Sequence, residues 1–516
     1  MTPPTHHASG RIDRRSFLAL TGAVALGGEA NAQGTPRRGG VLRLSASGNP
    51  SSLDPQTGNS GSDHVLLYPM FDTLVEWDYA TLQAKPGVAE KWEYPDSTTL
   101  VLTVRDGVVF HDGTKCDPAA VRTNLLRAMT HERSNVKSDL ATVADVSVVG
   151  RTVVMKLKQP DSALPLILSD RAGMLSSPAA MEASGRDYDR KPVGTGPWKF
   201  VSWAENERVV MARNEAYWKP NRPLLDGLNF QIIPELPTGL RSVTAGQNDF
   251  VYFLAPQHKA LIDRARNVGS VLGPTLWCIQ MYINYGRAPF DNAKVRQALN
   301  FAVDREEFNK ASFGGLAEPA VLSLPKAHWA HDAEMAKYYR YDPDRARKLL
   351  AEAGHPNGID MTGTGFAEQL AVQQQEVLIE QMKRAGIRIT WTRFTGPPTT
   401  TAFFAEKKGD VFLSAWTGRP DPSLTYQLLF GEGSYFNAGR GVGAPGLTAA
   451  IRATRAAPDL EGRKAAFRAL QKIVTESALI VPLVFRPELN AFGQKVKGYF
   501  PNLLGKPKFE DVWLEA

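Results

Sequence analysis

Few residues in this 516-residue chain have the type and spacing to do chemistry, and those few suit binding better than catalysis. In Trp416-Thr417-Gly418-Arg419-Pro420-Asp421-Pro422 an indole and a guanidinium lie three residues apart. The guanidinium is a planar fork that donates two parallel hydrogen bonds to a carboxylate or phosphate, and the indole is a large apolar wall. The blander reading of Arg419 is a solvated loop arginine, since arginines are mostly exposed. Asp421, beside a proline, reads as a turn-former. His328-Trp329-Ala330-His331 carries two imidazoles, the donors that zinc or nickel takes, but in a proline-flanked irregular stretch where a surface loop is the better reading. A redox enzyme would show Cys-x-x-Cys or a Gly-x-Gly-x-x-Gly following a strand, and a hydrolase a Gly-x-Ser-x-Gly elbow; none is found. No catalytic residue, metal ligand or cofactor is therefore assigned.

The elements that must position such residues begin after an export leader. Arg11, Arg14 and Arg15 form a positive start, residues 17–28 a short apolar stretch too brief to span a bilayer, and Ala30-Asn31-Ala32 a small-residue cleavage site. Asp13-Arg14-Arg15-Ser16-Phe17-Leu18 has the twin-arginine form. Residues 1–32 are set aside on that basis, and no cysteine near the cleavage point offers a lipid anchor. The formal net charge of +7 is too diffuse on a chain this long for a nucleic-acid surface. Two cysteines, Cys116 and Cys278, leave their own pairing open, and a fold this large does not depend on disulfides.

At this length at least two lobes are expected. Val41-Leu42-Arg43-Leu44 alternates as an opening strand. Residues 100–105, Asp106-Gly107 and 108–110 read as a β-hairpin, and 153–158 as another strand. Asp117-Pro118 starts a helix with Val121, Leu125, Ala128 and Met129 on one face. Asp342-Pro343 starts a second that ends at Gly354, and a third stops at Gly386 before a strand from Ile387. Strands interleaved with helices are the pattern of an α/β fold.

Several segments then carry a resemblance. Leu53-Asp54-Pro55, Tyr68-Pro69-Met70-Phe71-Asp72-Thr73-Leu74-Val75, Val88-Ala89-Glu90-Lys91-Trp92, Arg105-Asp106-Gly107-Val108-Val109-Phe110-His111-Asp112-Gly113, Pro192-Val193-Gly194-Thr195-Gly196-Pro197-Trp198-Lys199-Phe200, Arg213-Asn214-Glu215-Ala216-Tyr217-Trp218, Pro289-Phe290-Asp291-Asn292-Ala293-Lys294-Val295-Arg296-Gln297-Ala298-Leu299 and the Trp416 to Pro422 segment occur in this order. Together they resemble the extracellular solute-binding proteins of family 5, the dipeptide, oligopeptide and nickel group. Alone, each is a turn or packing motif.

The resemblance implies a periplasmic-binding-protein-like α/β fold of type II with an extra subdomain. The lobes would be 33–278 with 483–516, carrying an insertion at about 76–190, and 279–482, joined by strands crossing near 278–284 and 482–486. It further implies a monomeric periplasmic receptor, not an enzyme, that delivers a peptide-like or carboxylated solute to the permease subunits of an ABC transporter; a nickel-type chelate receptor or a periplasmic enzyme are the alternatives. Solute contacts would come from Trp416, Arg419, Tyr435, Phe436 and Asn437, with Ser60 from the first lobe and Trp277 near the crossing. One departure matters: peptide-binding members place an aspartate for the peptide ammonium just after the tryptophan, where this chain has Gly418 or Arg419. Neither holds an ammonium, so an anionic group on the solute is expected instead.

Overall fold

The structure, a computed structural model, describes residues 35–58, 63–439 and 443–515; the leader and Ser60 lie outside the described residues. Three sheets organise the chain from Arg37 onward. A seven-stranded sheet runs, edge to edge, Val268–Gly273, Glu488–Gly493, Phe250–Leu254, Val41–Ala46, Gly227–Ile232, Arg208–Arg213 and Trp198–Ala204. Its centre is parallel, Val41–Ala46 pairing with both Gly227–Ile232 and Phe250–Leu254. A six-stranded sheet runs Glu318–Pro319, Ile480–Phe485, Cys278–Ile283, Val411–Trp416, Ile359–Phe366 and Ile387–Phe394. A four-stranded antiparallel sheet, Ala89–Asp96, Thr99–Val104, Thr152–Leu157 and Val143–Val149, is inserted in the chain between the first two strands of the seven-stranded sheet. Each sheet has its own hydrophobic core.

The helices begin where their caps stand. Asp117 accepts from the Ala120 amide and Asp342 from the Arg345 amide, each ahead of a proline at the first helical position. Gly354 and Gly386 follow the last turns in left-handed backbone. The 100–110 hairpin does not form. Thr99–Val104 already has both edges filled, by Ala89–Asp96 and Thr152–Leu157, so the chain turns at Asp106-Gly107 and closes a smaller bridge, Val109 with Lys115.

The motifs of the first half converge on one buried knot. Asp72, fully buried, accepts from Trp218 Nε1 at 2.8 Å, Tyr217 OH at 3.1 Å and Lys508 Nζ at 2.8 Å, and its amide donates to Thr195 Oγ1. Lys508 and Lys219 both reach Glu76. Burial alone would raise the Glu76 carboxyl, but these two ammoniums bring it down to about 2. A side chain on Gly194 would place its Cβ 2.2 Å from the Met70 carbonyl oxygen, so that turn demands glycine. His111 bridges the same turn, Nδ1 accepting from the Gly194 amide and Nε2 facing the Gly196 carbonyl.

The chain leaves the seven-stranded sheet and enters the six-stranded one over residues 274–277, and returns over 486–487. The segments expected to cross, 278–284 and 482–486, are instead almost wholly strands of the six-stranded sheet, because the Cys278–Ile283 strand pairs there on both edges. The crossings hold each other: the Arg486 amide donates to the Trp277 carbonyl, and Thr275 Oγ1 to the Arg486 carbonyl at 2.5 Å. A further contact joins the inserted sheet to the second lobe. Arg455 Nε donates to Asp161 at 2.9 Å, the Ser162 amide donates to the Arg455 carbonyl at 2.8 Å, and Leu424 packs into the inserted sheet's core. Cys116 and Cys278 are both free and buried, in different cores. Among the described residues no helix is long and apolar enough to cross a membrane.

Candidate functional site: the cleft between the lobes

Trp416 ends the strand Val411–Trp416 and is buried, its Nε1 donating to Thr425 Oγ1 at 3.2 Å. Phe436 packs edge-on against it with centroids 5.5 Å apart, and Tyr435, about half exposed, stands beside Phe436 and Phe404. The four rings make one continuous aromatic wall. Asn437 lies beneath it. Its side chain accepts from Tyr285 OH and the Gly439 amide and donates to the Phe430 and Gly431 carbonyls, which ties down the loop carrying Tyr435 and Phe436.

Gly418 has left-handed backbone, φ 72°, and a Cβ there would lie 2.4 Å from Leu276. No side chain fits at 418, so the group this segment presents is the Arg419 guanidinium. It lies 5.3 Å over the Trp416 ring, donates Nη1 to the Gly418 carbonyl at 2.8 Å, and forms no ion pair among the described residues. Asp421 is the N-cap of the helix Pro422–Phe430 and a buried partner of Arg463 at 2.8 Å. That fixes the segment's far end. His328 is buried, with Nδ1 accepting from the Ala330 amide, and burial takes its ring down to about 3. His331 makes its own contact, to the Leu324 carbonyl, so the pair stands apart from the cleft wall.

Opposite Arg419 lies a charged group from the first lobe. Asp170 accepts from Lys506 Nζ at 2.8 Å and Tyr68 OH at 2.7 Å. Burial opposes its ionisation, but Lys506 and its neighbours hold it far below the usual carboxylate range. Asp63 takes the Ser51 amide and Arg171. His64 is driven well below its ordinary value, first by burial and then by Lys506, with Arg419 adding to the effect. Asp139, from the inserted subdomain, is pushed up to about 6 by burial, against the pull of Arg419. His64, Lys506 and Asp139 all lie within electrostatic reach of Arg419.

Sequence reading brought together Trp416, Arg419, Tyr435 and Phe436. It missed Asp139, Asp170, Lys506 and Arg486. No spacing signal could have found them: Asp170 and Lys506 are 336 residues apart and neither belongs to a periodic pattern.

This two-lobed geometry matches known proteins. Bacterial extracellular solute-binding proteins, family 5 Middle, match residues 83–437. The chain belongs to that family. The glutathione-binding protein GsiB of Escherichia coli O1:K1 is 30% identical over 430 residues, 73% of this chain and 83% of that protein. The periplasmic binding protein DppA from Helicobacter pylori, solved with the peptide STSA, superimposes with a TM-score of 0.79 at 22% identity, covering 93% of this chain and 99% of that one. AgaA from A. tumefaciens R10, solved with agropinic acid, gives 0.77 at 22% identity, covering 92% and 99%. The family member described here is a solute-binding receptor of an ABC importer, and a peptide-like or other small organic solute suits its cleft.

Proposed function

We propose that the protein is exported by its twin-arginine leader to the periplasm. There, as a monomer, it closes two lobes, divided at the crossings near 277 and 486, on a carboxylated peptide-like solute that it passes unchanged to ABC permease subunits. One observation carries the ligand class: Arg419, half-buried over Trp416 in the cleft, has no acidic partner among the described residues. A guanidinium in a site that closes and sheds water favours an anion there. Trp416, Phe436 and Tyr435 would supply the apolar wall. The relatives fit this class, since GsiB is named for glutathione and AgaA was solved with agropinic acid, both carboxylated.

A thermal-shift panel tests the reading. It should span plain dipeptides, glutathione, acidic sugars and opine-like conjugates, since a true solute raises the melting temperature according to its concentration relative to Kd. Carboxylated conjugates should rank first. A plain dipeptide ranking first would overturn the anion anchor, and absorbance and metal analysis showing a bound chromophore or nickel would favour the enzyme or chelate alternatives.

A further inference from the structure

We propose that Arg486 is a second anion anchor, set in the hinge, and that the solute therefore carries two acidic groups. This rests on the cleft being the solute site. Arg486 begins the return crossing between the two sheets. Its guanidinium stands 4.5 Å from the Phe253 ring and 5.2 Å from Trp277, two rings stacked on each other at 5.1 Å. Phe253 reaches that position through a break in the register of the strand Phe250–Leu254, with a left-handed φ of 57°. Such backbone is costly for a bulky residue and tends to gather beside binding sites, where it re-aims a side chain.

The chain itself supplies the control. Where it buries an arginine against acid, the pair is complete: Arg463 with Asp421, Arg455 with Asp161, Arg127 with Asp54. Where it buries one without acid, the backbone saturates it. Arg296 donates four bonds of 2.7–3.0 Å to carbonyls, and Arg305 four of 2.7–3.2 Å to carbonyl oxygens and the Asn300 side chain. Arg486 has neither arrangement. Its Nη2 reaches the Phe253 and Leu254 carbonyls at 3.3 Å each, its Nε is buried without a partner, and it forms no ion pair among the described residues. The residue keeps some solvent exposure, while burial of the guanidinium brings it down to about 10, a cost that a bound anion would offset.

Arg419 and Arg486 stand on segments that meet on one crossing, for Gly418 packs on Leu276 and the Arg486 amide binds the Trp277 carbonyl. A solute spanning both, with its body on Trp416 and Trp277, would be a peptide-like diacid.

The test is a cycle of ligand and protein changes, read by calorimetry. Glutathione is the probe, beside one derivative with the glycyl carboxylate amidated and another lacking the glutamyl α-carboxylate. If another acid in the panel binds more tightly, that acid and its singly blocked derivatives are used. The wild type should prefer the diacid to each derivative about tenfold or more, the range of a charge-assisted hydrogen bond. Arg486→Gln should erase the preference over one derivative and Arg419→Gln over the other, with Arg486→Lys intermediate. A hinge-packing role alone would weaken all three probes by one factor in Arg486→Gln and leave the preference standing, which overturns the second anchor, as does a wild type that binds diacid and monoacid alike. In both cases the receptor reading survives. A panel in which nothing binds the wild type overturns that reading as well.

Discussion

Around Asp72 and around Arg419 the chain handles buried charge in opposite ways. In the Asp72 knot every charge is met from inside: three carboxylates, Asp72, Glu76 and Glu510, interlock with the ammoniums of Lys508 and Lys219, and tyrosine and indole donors add to them. Arg419 rests on a ring and a neighbouring carbonyl and forms no ion pair among the described residues, although the Asp139 carboxyl lies within reach of its charge. A saturated network holds a shape, while an unsaturated one in a closing cleft waits for a partner.

The comparison breaks most sharply at Asp72. Asp72→Ala leaves the Trp218 indole N–H unmet and takes one of two carboxylates from the buried Lys508, so it should cost on the order of 3 to 5 kcal/mol in urea unfolding, while whatever folds keeps its solute affinity. An affinity that falls in step with stability would show that the two regions are not separable.

Glu488 sharpens the contrast within the first lobe. It is fully buried and forms no ion pair among the described residues, and burial pushes its carboxyl up to about 7 despite bonds from Tyr499 and Asn490. The folded state therefore holds this proton above the pH at which the unfolded chain releases it. The resulting stability is present below the unfolded value near 4.3, fades as pH rises toward about 7, and is absent above. Glu488→Gln should match the wild type near pH 4 and exceed it by about 3 to 4 kcal/mol at pH 8; parallel pH profiles would place the carboxylate in a polar setting.

At the cleft, Arg419→Ala should cost about 1.5 to 3 kcal/mol of affinity for the best acid in the panel and change unfolding free energy by less than about 0.5 kcal/mol, as surface substitutions do. The smallest effect is expected at the clip between insertion and second lobe. Asp161→Asn weakens a contact made across the lobes, so small-angle scattering should show a larger radius of gyration without solute and a Kd raised severalfold, about 1 kcal/mol. An unchanged radius would mean the clip adds nothing to closure.

Local grammar was legible in the residues. Asp117-Pro118, Asp342-Pro343, Gly354 and Gly386 mark helix ends because capping and left-handed backbone depend on one or two positions. The 100–110 hairpin failed because hairpin grammar is local, whereas pairing depends on which edges distant strands have already filled. The crossings lay a few residues outside the expected segments for the same reason, since the partner strands Ile480–Phe485 and Val411–Trp416 decide where Cys278–Ile283 begins and ends. Trp416 and Arg419 were singled out through a motif and its departure, and the structure sets the guanidinium over the indole. Asp139, Lys506 and Arg486 owe their positions to three-dimensional closure, which leaves no trace in spacing.

The two free thiols have a use that their chemistry alone would not suggest. Cys116 is sealed in the core of the inserted sheet and Cys278 at the first residue of a central strand of the six-stranded sheet, and burial raises both thiols far from reactivity. Neither can be alkylated until the body around it opens, so each is a built-in clock for its own part of the molecule. Timed labelling followed by mass analysis of the two peptides would read the opening of the insertion and of the second lobe separately, without an engineered probe.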